Sequence, residues 1–230
     1  MRLTAKLRSN SKMELTLVDR HDYHQAVTEL PRVAGGTRAA DAVRIPLQDL
    51  LAERVRFVET EINGFDLDGR RLLTAAGPIG WSRLVLPSAA GPTTSPSLAW
   101  PSARCRCTRP ATQESSWSAS GPRYGIYVAG DLASVVDPRT GHVLPPLAQV
   151  ALEEGETVAR NLDAELRGRP LEAFTFHDKG FVVSVGTRRG VADIAGVISG
   201  GHLAHVLKYA IEWEYRQSVR HLRGWDPVAR

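Results

Sequence analysis

Residues 15–20, Leu15-Thr16-Leu17-Val18-Asp19-Arg20, decide how this 230-residue chain is read. The run from Glu14 to Val18 is short and β-rich, and it ends on an acid. Before it, Leu3 to Arg8 suits the last turns of a helix, which Ser9-Asn10-Ser11 then breaks. A helix, a short polar turn, a strand and an acid form the second half of a βαβ unit. A carboxylate at the end of the second strand of a dinucleotide fold can accept hydrogen bonds from both hydroxyls of a ribose. Taken alone, a solvated strand-end acid is the commoner outcome. The glycine turn G-x-G-x-x-G that would open the preceding helix is not found, and the chain is expected to begin inside that helix.

Working outward, Asp22 to Gly36 reads as loop, punctuated by Pro31 and Gly35-Gly36, and Pro46 to Leu51 as a short helix. Val55 to Ile62 alternates as a strand, and Arg71 to Thr74 follows a turn at Asp68-Gly69; the two are expected to form a hairpin. Arg83 to Leu86 is another short strand. From Gly91 to Pro122 the chain turns rich in Ser, Pro, Thr and Arg without a clean period, which predicts an irregular segment. An apolar strand returns at Tyr124 to Ala129, followed at once by Gly130-Asp131. Pro145-Pro146 precedes a helix to about Arg167, with Leu147, Ala151, Val158 and Leu162 on one face and Gly168 as its stop. Phe181 to Val185 is a strand candidate, Val191 to Gly201 is apolar and glycine-rich, and a last helix runs from about Leu203 to Leu222.

The apolar and charged fractions, 43% and 23%, are ordinary for a globular protein. A formal charge of +4 suits an anionic partner such as a dinucleotide or an anionic membrane surface. No basic stripe interleaved with aromatics is present, so nucleic acid is not expected. The two cysteines, Cys105 and Cys107, are too close for an easy disulfide and are read as free thiols in a reducing compartment. No signal peptide and no bilayer-spanning apolar run is apparent.

Two further segments bear on chemistry. In Tyr127-Val128-Ala129-Gly130-Asp131 a buried strand delivers a glycine and then an aspartate at its carboxyl end, the edge where α/β folds bind ligands. Glycine permits close backbone approach and aspartate can accept from a polyol; a plain Gly-Asp turn is an equal alternative. In Ala148-Gln149-Val150-Ala151-Leu152-Glu153-Glu154-Gly155, Gln149 and Glu153 share a helix face away from the apolar stripe, where they meet a ligand or, by periodicity alone, solvent. His21, His24, His202 and His205 form no metal-ligand pattern. Ser88 and Ser184 lack a nucleophile elbow. The last helix sets Leu203, Leu207, Ala210 and Ile211 opposite His205, Lys208 and Glu212, with Arg216, Arg220, Arg223, Trp213, Tyr215 and Trp225 following. That composition suits a membrane interface, or packing on the protein's own core or a partner, with Glu214 intruding on the apolar side.

In order and spacing these segments resemble the type II NADH:quinone dehydrogenases, within the FAD-dependent pyridine nucleotide-disulfide oxidoreductases. The resemblance is carried by Leu15 to His24, by Ile45-Pro46-Leu47, and by Val55 to Val58 through Ile62 to Asp66. It continues in Leu84-Val85-Leu86, Tyr127 to Asp131, and Ala148 to Ala151 through Glu153-Glu154-Gly155. It continues through Ala159-Arg160-Asn161 to the run from Arg188 to Asp193. It covers most of residues 15–90 and 124–225.

The resemblance implies an α/β fold: a partial FAD-binding Rossmann-like domain with a β-hairpin, then a carboxyl-terminal α+β region. The expected domains are a partial FAD-binding region over 1–91, an irregular linker over 92–123, the remainder of the FAD-binding domain over 124–167, and a membrane-associating or dimerising region over 168–230. The linker stands where the family has its NADH-binding domain, so a truncated form, a gene remnant, is expected. FAD is implied as cofactor and NADH as the family's substrate. Asp19 and Arg20 would sit at the adenosine ribose, Ile62 at adenine through its backbone, and Gly130 and Asp131 at the ribityl–phosphate region. Ala148 and Gln149 would meet the flavin, and Gln149 with Glu153 would serve as catalytic residues near flavin and quinone. The implied partners are a membrane quinone, an anionic membrane surface and a second copy of the chain, with a peripheral location on the inner face of the cell membrane. The rival reading is a non-catalytic remnant that binds a membrane or protein partner. A sulfide:quinone oxidoreductase is the weaker alternative, since it needs redox cysteines near the flavin.

Overall fold

The computed structural model describes residues 7, 13–87, 125–133, 135–137, 139–186, 188–194 and 196–220. The segment 92–122, both cysteines and the residues after 220 lie outside them, as does the amino-terminal helix apart from Leu7, which is helical. The strands are β1 (Leu15–Asp19), β2 (Tyr23–Gln25), β3 (Arg44–Pro46), β4 (Val55–Glu59), β5 (Ile62–Asp66), β6 (Arg71–Thr74), β7 (Gly77–Gly80), β8 (Leu84–Pro87), β9 (Ile126–Ala129), β10 (Phe181–Val185), β11 (Arg189–Ile194) and β12 (Val197–Gly201). The α-helices are α1 (Leu30–Ala34), α2 (Leu47–Leu50), α3 (Ala148–Leu166) and α4 (His202–Arg220). The fold is mixed α/β, and the chain divides into two compact units.

The larger unit takes in residues 2–21 and 53–176. β1 pairs in parallel with β4, Leu15 facing Val55 and Asp19 facing Glu59. β8 pairs in parallel with β9, Leu84 facing Ile126 and Pro87 facing Ala129. One core joins the two ladders: Leu7, Tyr127, Ala129, Val158, Ala159 and Leu162 are buried together, with Met13, Leu15 and Val85 packed against them. Helix α3 joins this core through Val158, Ala159 and Leu162 and lies against β9, and each large apolar side chain buried this way contributes about 1.5–3 kcal/mol. The same unit carries the antiparallel ladder β5-β6-β7.

The smaller unit takes in residues 22–52 and 177–230. β2 and β3 form a short antiparallel pair, and β10-β11-β12 an antiparallel meander. Helix α4 packs across β10 and β11. The approach is close because Gly190 has no side chain: a Cβ there would lie 2.9 Å from the His205 nitrogen. A second core of Ile45, Leu50 and Val219, with Tyr215 against it, ties α4 to β3 and α2.

Three expectations need correction. The strand read over 55–62 is two strands that break at Thr60, and Val55–Glu59 pairs with β1 rather than with Arg71–Thr74; the hairpin partner of β6 is β5. At the break the Thr60 N–H donates to the Asp19 carbonyl at 2.9 Å, next to the last β1–β4 pair, and its hydroxyl accepts the Ala76 N–H at 3.2 Å. The loop read over 22–36 contains β2, a 3-10 turn at Val27–Glu29 and α1, because Pro31 starts a helix as readily as it ends one. Helix α4 is turned opposite to its pattern. Ala204, Glu212 and Val219 are buried, whereas Leu203 and Ile211 are exposed. Its charged side faces inward because partners meet it there: Glu212 pairs with Arg32 at 2.8 Å, and Arg216 with Glu29 at 3.1 Å.

Candidate cofactor site

The larger unit holds all the residues singled out for cofactor binding. Asp19 closes β1, at the carboxyl end of a parallel strand. Its Oδ1 accepts the His21 N–H at 2.9 Å, a local turn that fixes an exposed carboxylate, and the His21 ring lies 3.6 Å away. Arg20 is exposed beside it. Since Thr60 is bonded to the Asp19 carbonyl, Ile62, the first residue of β5, lies only two residues beyond that junction.

Gly130 and Asp131 follow β9 and make the 3-10 turn Gly130–Leu132, closed by the Ala133 N–H on the Gly130 carbonyl at 2.8 Å. Gly130 adopts φ +77°, a left-handed conformation that costs a side-chain-bearing residue about 1–2 kcal/mol. Asp131 is exposed. Ala148 is the first residue of α3, and Gln149 and Glu153 are half-buried on its opening turns. Asp19 and Asp131 thus stand at the carboxyl ends of strands that share one core, with α3 packed behind β9.

The residue that joins helix to turn is Glu154, which no sequence motif singles out. Its side chain is buried, with the residue only 4% exposed, and its Oε2 accepts the Gly130 N–H at 2.5 Å. The signal lies in the spacing. Glu154 is four residues from Val150 and four from Val158, so it lies on the buried stripe Val150–Glu154–Val158–Leu162, not on the stripe through Leu147 and Ala151. Leu147 is exposed. Burial pushes the Glu154 carboxyl up to about 7; the Gly130 N–H pulls it down, and the Asp131 charge adds to the rise. Val135, Thr157 and Phe174 line a small cavity with Glu154.

A polar clasp lies elsewhere on the same helix. Arg83, next to β8, grips Glu165 with Nε at 2.8 Å and a second nitrogen at 2.5 Å, and the Tyr127 hydroxyl donates to Glu165 at 2.8 Å. The Arg83 bond holds Glu165 below the usual carboxylate range, while burial and then the bond to Glu165 push the Tyr127 phenol above the usual tyrosine range. This clasp fastens α3 to β8 and β9. Among the described residues no group of His, Cys, Asp and Glu is arranged to hold a metal ion, and no helix is long and apolar enough to cross a membrane.

No family model matches the chain. A type II NADH:quinone oxidoreductase of Staphylococcus aureus (strain NCTC 8325 / PS 47) is 34% identical over 87 residues, which are 38% of this chain and 22% of that protein. The counterpart from strain MSSA476 is 33% identical over the same length. The match therefore spans about a fifth of the length of these relatives. In fold, the chain is similar to the sulfide:quinone oxidoreductase of Aquifex aeolicus, with a TM-score of 0.68 at 13% identity, covering 96% of this chain and 89% of that one. The chain is thus similar in sequence, over those 87 residues, to type II NADH:quinone oxidoreductases, and similar in fold to a sulfide:quinone oxidoreductase.

Proposed function

We propose that this chain is a flavin-binding, NADH:quinone oxidoreductase-like protein whose larger unit holds FAD at the carboxyl ends of β1 and β9, in a partial Rossmann-like arrangement. The observation that carries the reading is the pair of exposed acids at the ends of strands that share one core: Asp19 closing β1, and Asp131 after a glycine at φ +77°. Their chemistry fits the cofactor. An exposed carboxylate suits the paired hydroxyls of a ribose, and a glycine at positive φ lets backbone approach a ribityl–phosphate chain. Arg20 and the Ile62 backbone would complete the adenosine side, and Ala148 and Gln149 the flavin side. Gln149 and Glu153, one turn apart, would face the ring and the quinone. Bound FAD would supply the redox chemistry, taking hydride from NADH and passing electrons to the quinone. The protein would position and shield it. Purified protein is expected to be yellow, with a flavin absorbance near one equivalent, and to reduce a soluble quinone with NADH. A colourless protein that gains no flavin on incubation with FAD counts against the reading.

A second reading rests on α4, which turns Leu203, Val206, Tyr209 and Trp213 outward. An apolar, aromatic helix face of this kind suits an anionic membrane surface, consistent with peripheral attachment to the inner face of the cell membrane, or a second copy of the chain. Co-sedimentation with anionic liposomes tests it independently of flavin, and the mass of the protein in solution tests the homodimer.

A further inference from the structure

We propose that Glu154 is the positioning residue of the Gly130–Asp131 turn: from α3 its carboxyl group holds the Gly130 N–H and so fixes where Asp131 stands for the cofactor. This rests on the flavin reading above for its consequence, but not for its geometry. A carboxyl group with 4% exposure, beside a small cavity that it lines with Val135, Thr157 and Phe174, is costly unless it has a partner, and the Gly130 N–H at 2.5 Å is that partner. The turn needs such a partner in return. Gly130 has a left-handed backbone with no side chain to lock it, so its orientation depends on its two backbone bonds, the Ala133 N–H on its carbonyl and its own N–H on Glu154. Helix α3 is itself anchored by Val158, Ala159 and Leu162 in the core and by Glu165 on Arg83 and Tyr127. Glu154 therefore links a rigid element to a single peptide group of the turn.

The same geometry makes the link sensitive to protonation. The titratable group that faces Glu154 is Asp131, one residue past its partner. An ionised Glu154 accepts the N–H more strongly but repels Asp131; a protonated one relieves the repulsion and weakens the bond. With the carboxyl at about 7, both forms are populated near neutrality, the proton exchanging with solvent.

The full chain tests this, labelled with nitrogen-15 glycine, alongside E154Q, which keeps an acceptor without a charge, and E154L, which keeps the volume without an acceptor. The Gly130 amide signal is expected to titrate between pH 5 and 9 in the wild type and to stay flat in E154Q. Titration with FAD is expected to give E154Q a dissociation constant within about threefold of wild type and E154L one raised at least tenfold. A Gly130 signal that ignores pH in the wild type, or an E154L protein that binds FAD as tightly as wild type, overturns the proposal. Should E154L fail to fold, the wild type and E154Q still decide it through the Gly130 titration. A wild type that takes up no FAD overturns the flavin reading instead, and the Gly130 titration then decides whether the link itself exists.

Discussion

Arg216 on α4 reaches Glu29 at 3.1 Å, across 187 positions of sequence, and meets there a carboxylate that is 1% exposed. Arg38 approaches the same carboxylate from the other side at 2.9 Å. Glu29 Oε2 and Arg216 Nε make no aligned hydrogen bond, so the contact is one of charge held by packing. A lone buried carboxylate between two guanidinium groups is costly to neutralise, because the two cations are then left facing each other. Glu29→Gln is expected to destabilise the smaller unit by about 3–5 kcal/mol, the usual cost of breaking a buried pair from one side. Urea denaturation followed by circular dichroism measures it. Double substitution with Arg216→Met is expected to recover part of the loss, since it removes one of the stranded charges.

Glu154 gives stability a pH dependence of definite sign. Its carboxyl lies at about 7 in the folded chain, above the ordinary glutamate value it regains on unfolding. The folded state therefore holds more protons in that window. The stabilisation is fully present below the ordinary glutamate range and is lost as pH rises through 7. Each tenfold gain in proton affinity on folding is worth roughly 1.4 kcal/mol, so the effect is on the order of 3 kcal/mol. Measured from pH 4 to 8, wild-type unfolding free energy is expected to fall against E154Q, which has no carboxyl group to titrate at this position. Parallel curves for the two proteins would refute it.

How far the sequence reveals these features depends on whether the signal is local. Leu15 to Asp19 and Ile126 to Ala129 are readable because β-branched and apolar runs ending on Asp or Gly-Asp have few other outcomes. The first strand's partner is not readable. Residues 55–62 alternate without a break, whereas Val55–Glu59 pairs with a strand some forty residues away and Ile62–Asp66 with Arg71–Thr74. Helix α4 shows the same limit in reverse. Its polar face looks solvent-directed until Arg32 and the buried Glu29, from a segment that reads as loop, supply counter-charges to Glu212 and Arg216. Glu154 is hidden by residue type, since a glutamate is rarely placed on a core stripe even where spacing demands it.

Helix α4 offers a test of surface attachment. Leu203 is 74% exposed and Trp213 60%, on the side away from buried Ala204 and Glu212. An amphipathic helix binds an interface by burying such side chains, with a smaller, salt-sensitive part from basic residues. The double substitution Leu203→Ser with Trp213→Ser is expected to lower partitioning onto anionic vesicles at least tenfold. High salt is expected to weaken wild-type binding without abolishing it. Unchanged pelleting of the double variant would place the attachment elsewhere or deny it.

Tyr127 tests the clasp between α3 and the β8–β9 ladder. Its hydroxyl donates to Glu165 at 2.8 Å, and Glu165 also takes the two-pronged bond from Arg83. Tyr127→Phe removes one donor from a carboxylate that keeps its guanidinium partner, so nothing charged is stranded. The expected loss is that of one hydrogen bond to a charged group, about 1.5–3 kcal/mol. Arg83→Met is expected to cost more, because it leaves Glu165 with the phenol alone, and the combined variant less than the sum, since both donors act on one carboxylate. The phenol is held above the usual tyrosine range, chiefly by burial, so its stabilisation is intact at neutral pH and is lost as pH rises past the ordinary tyrosine value. Alkaline ultraviolet titration of wild type against Tyr127→Phe isolates this residue: one tyrosine is expected to ionise only as the larger unit unfolds, and that late-ionising fraction is expected to be missing from the variant.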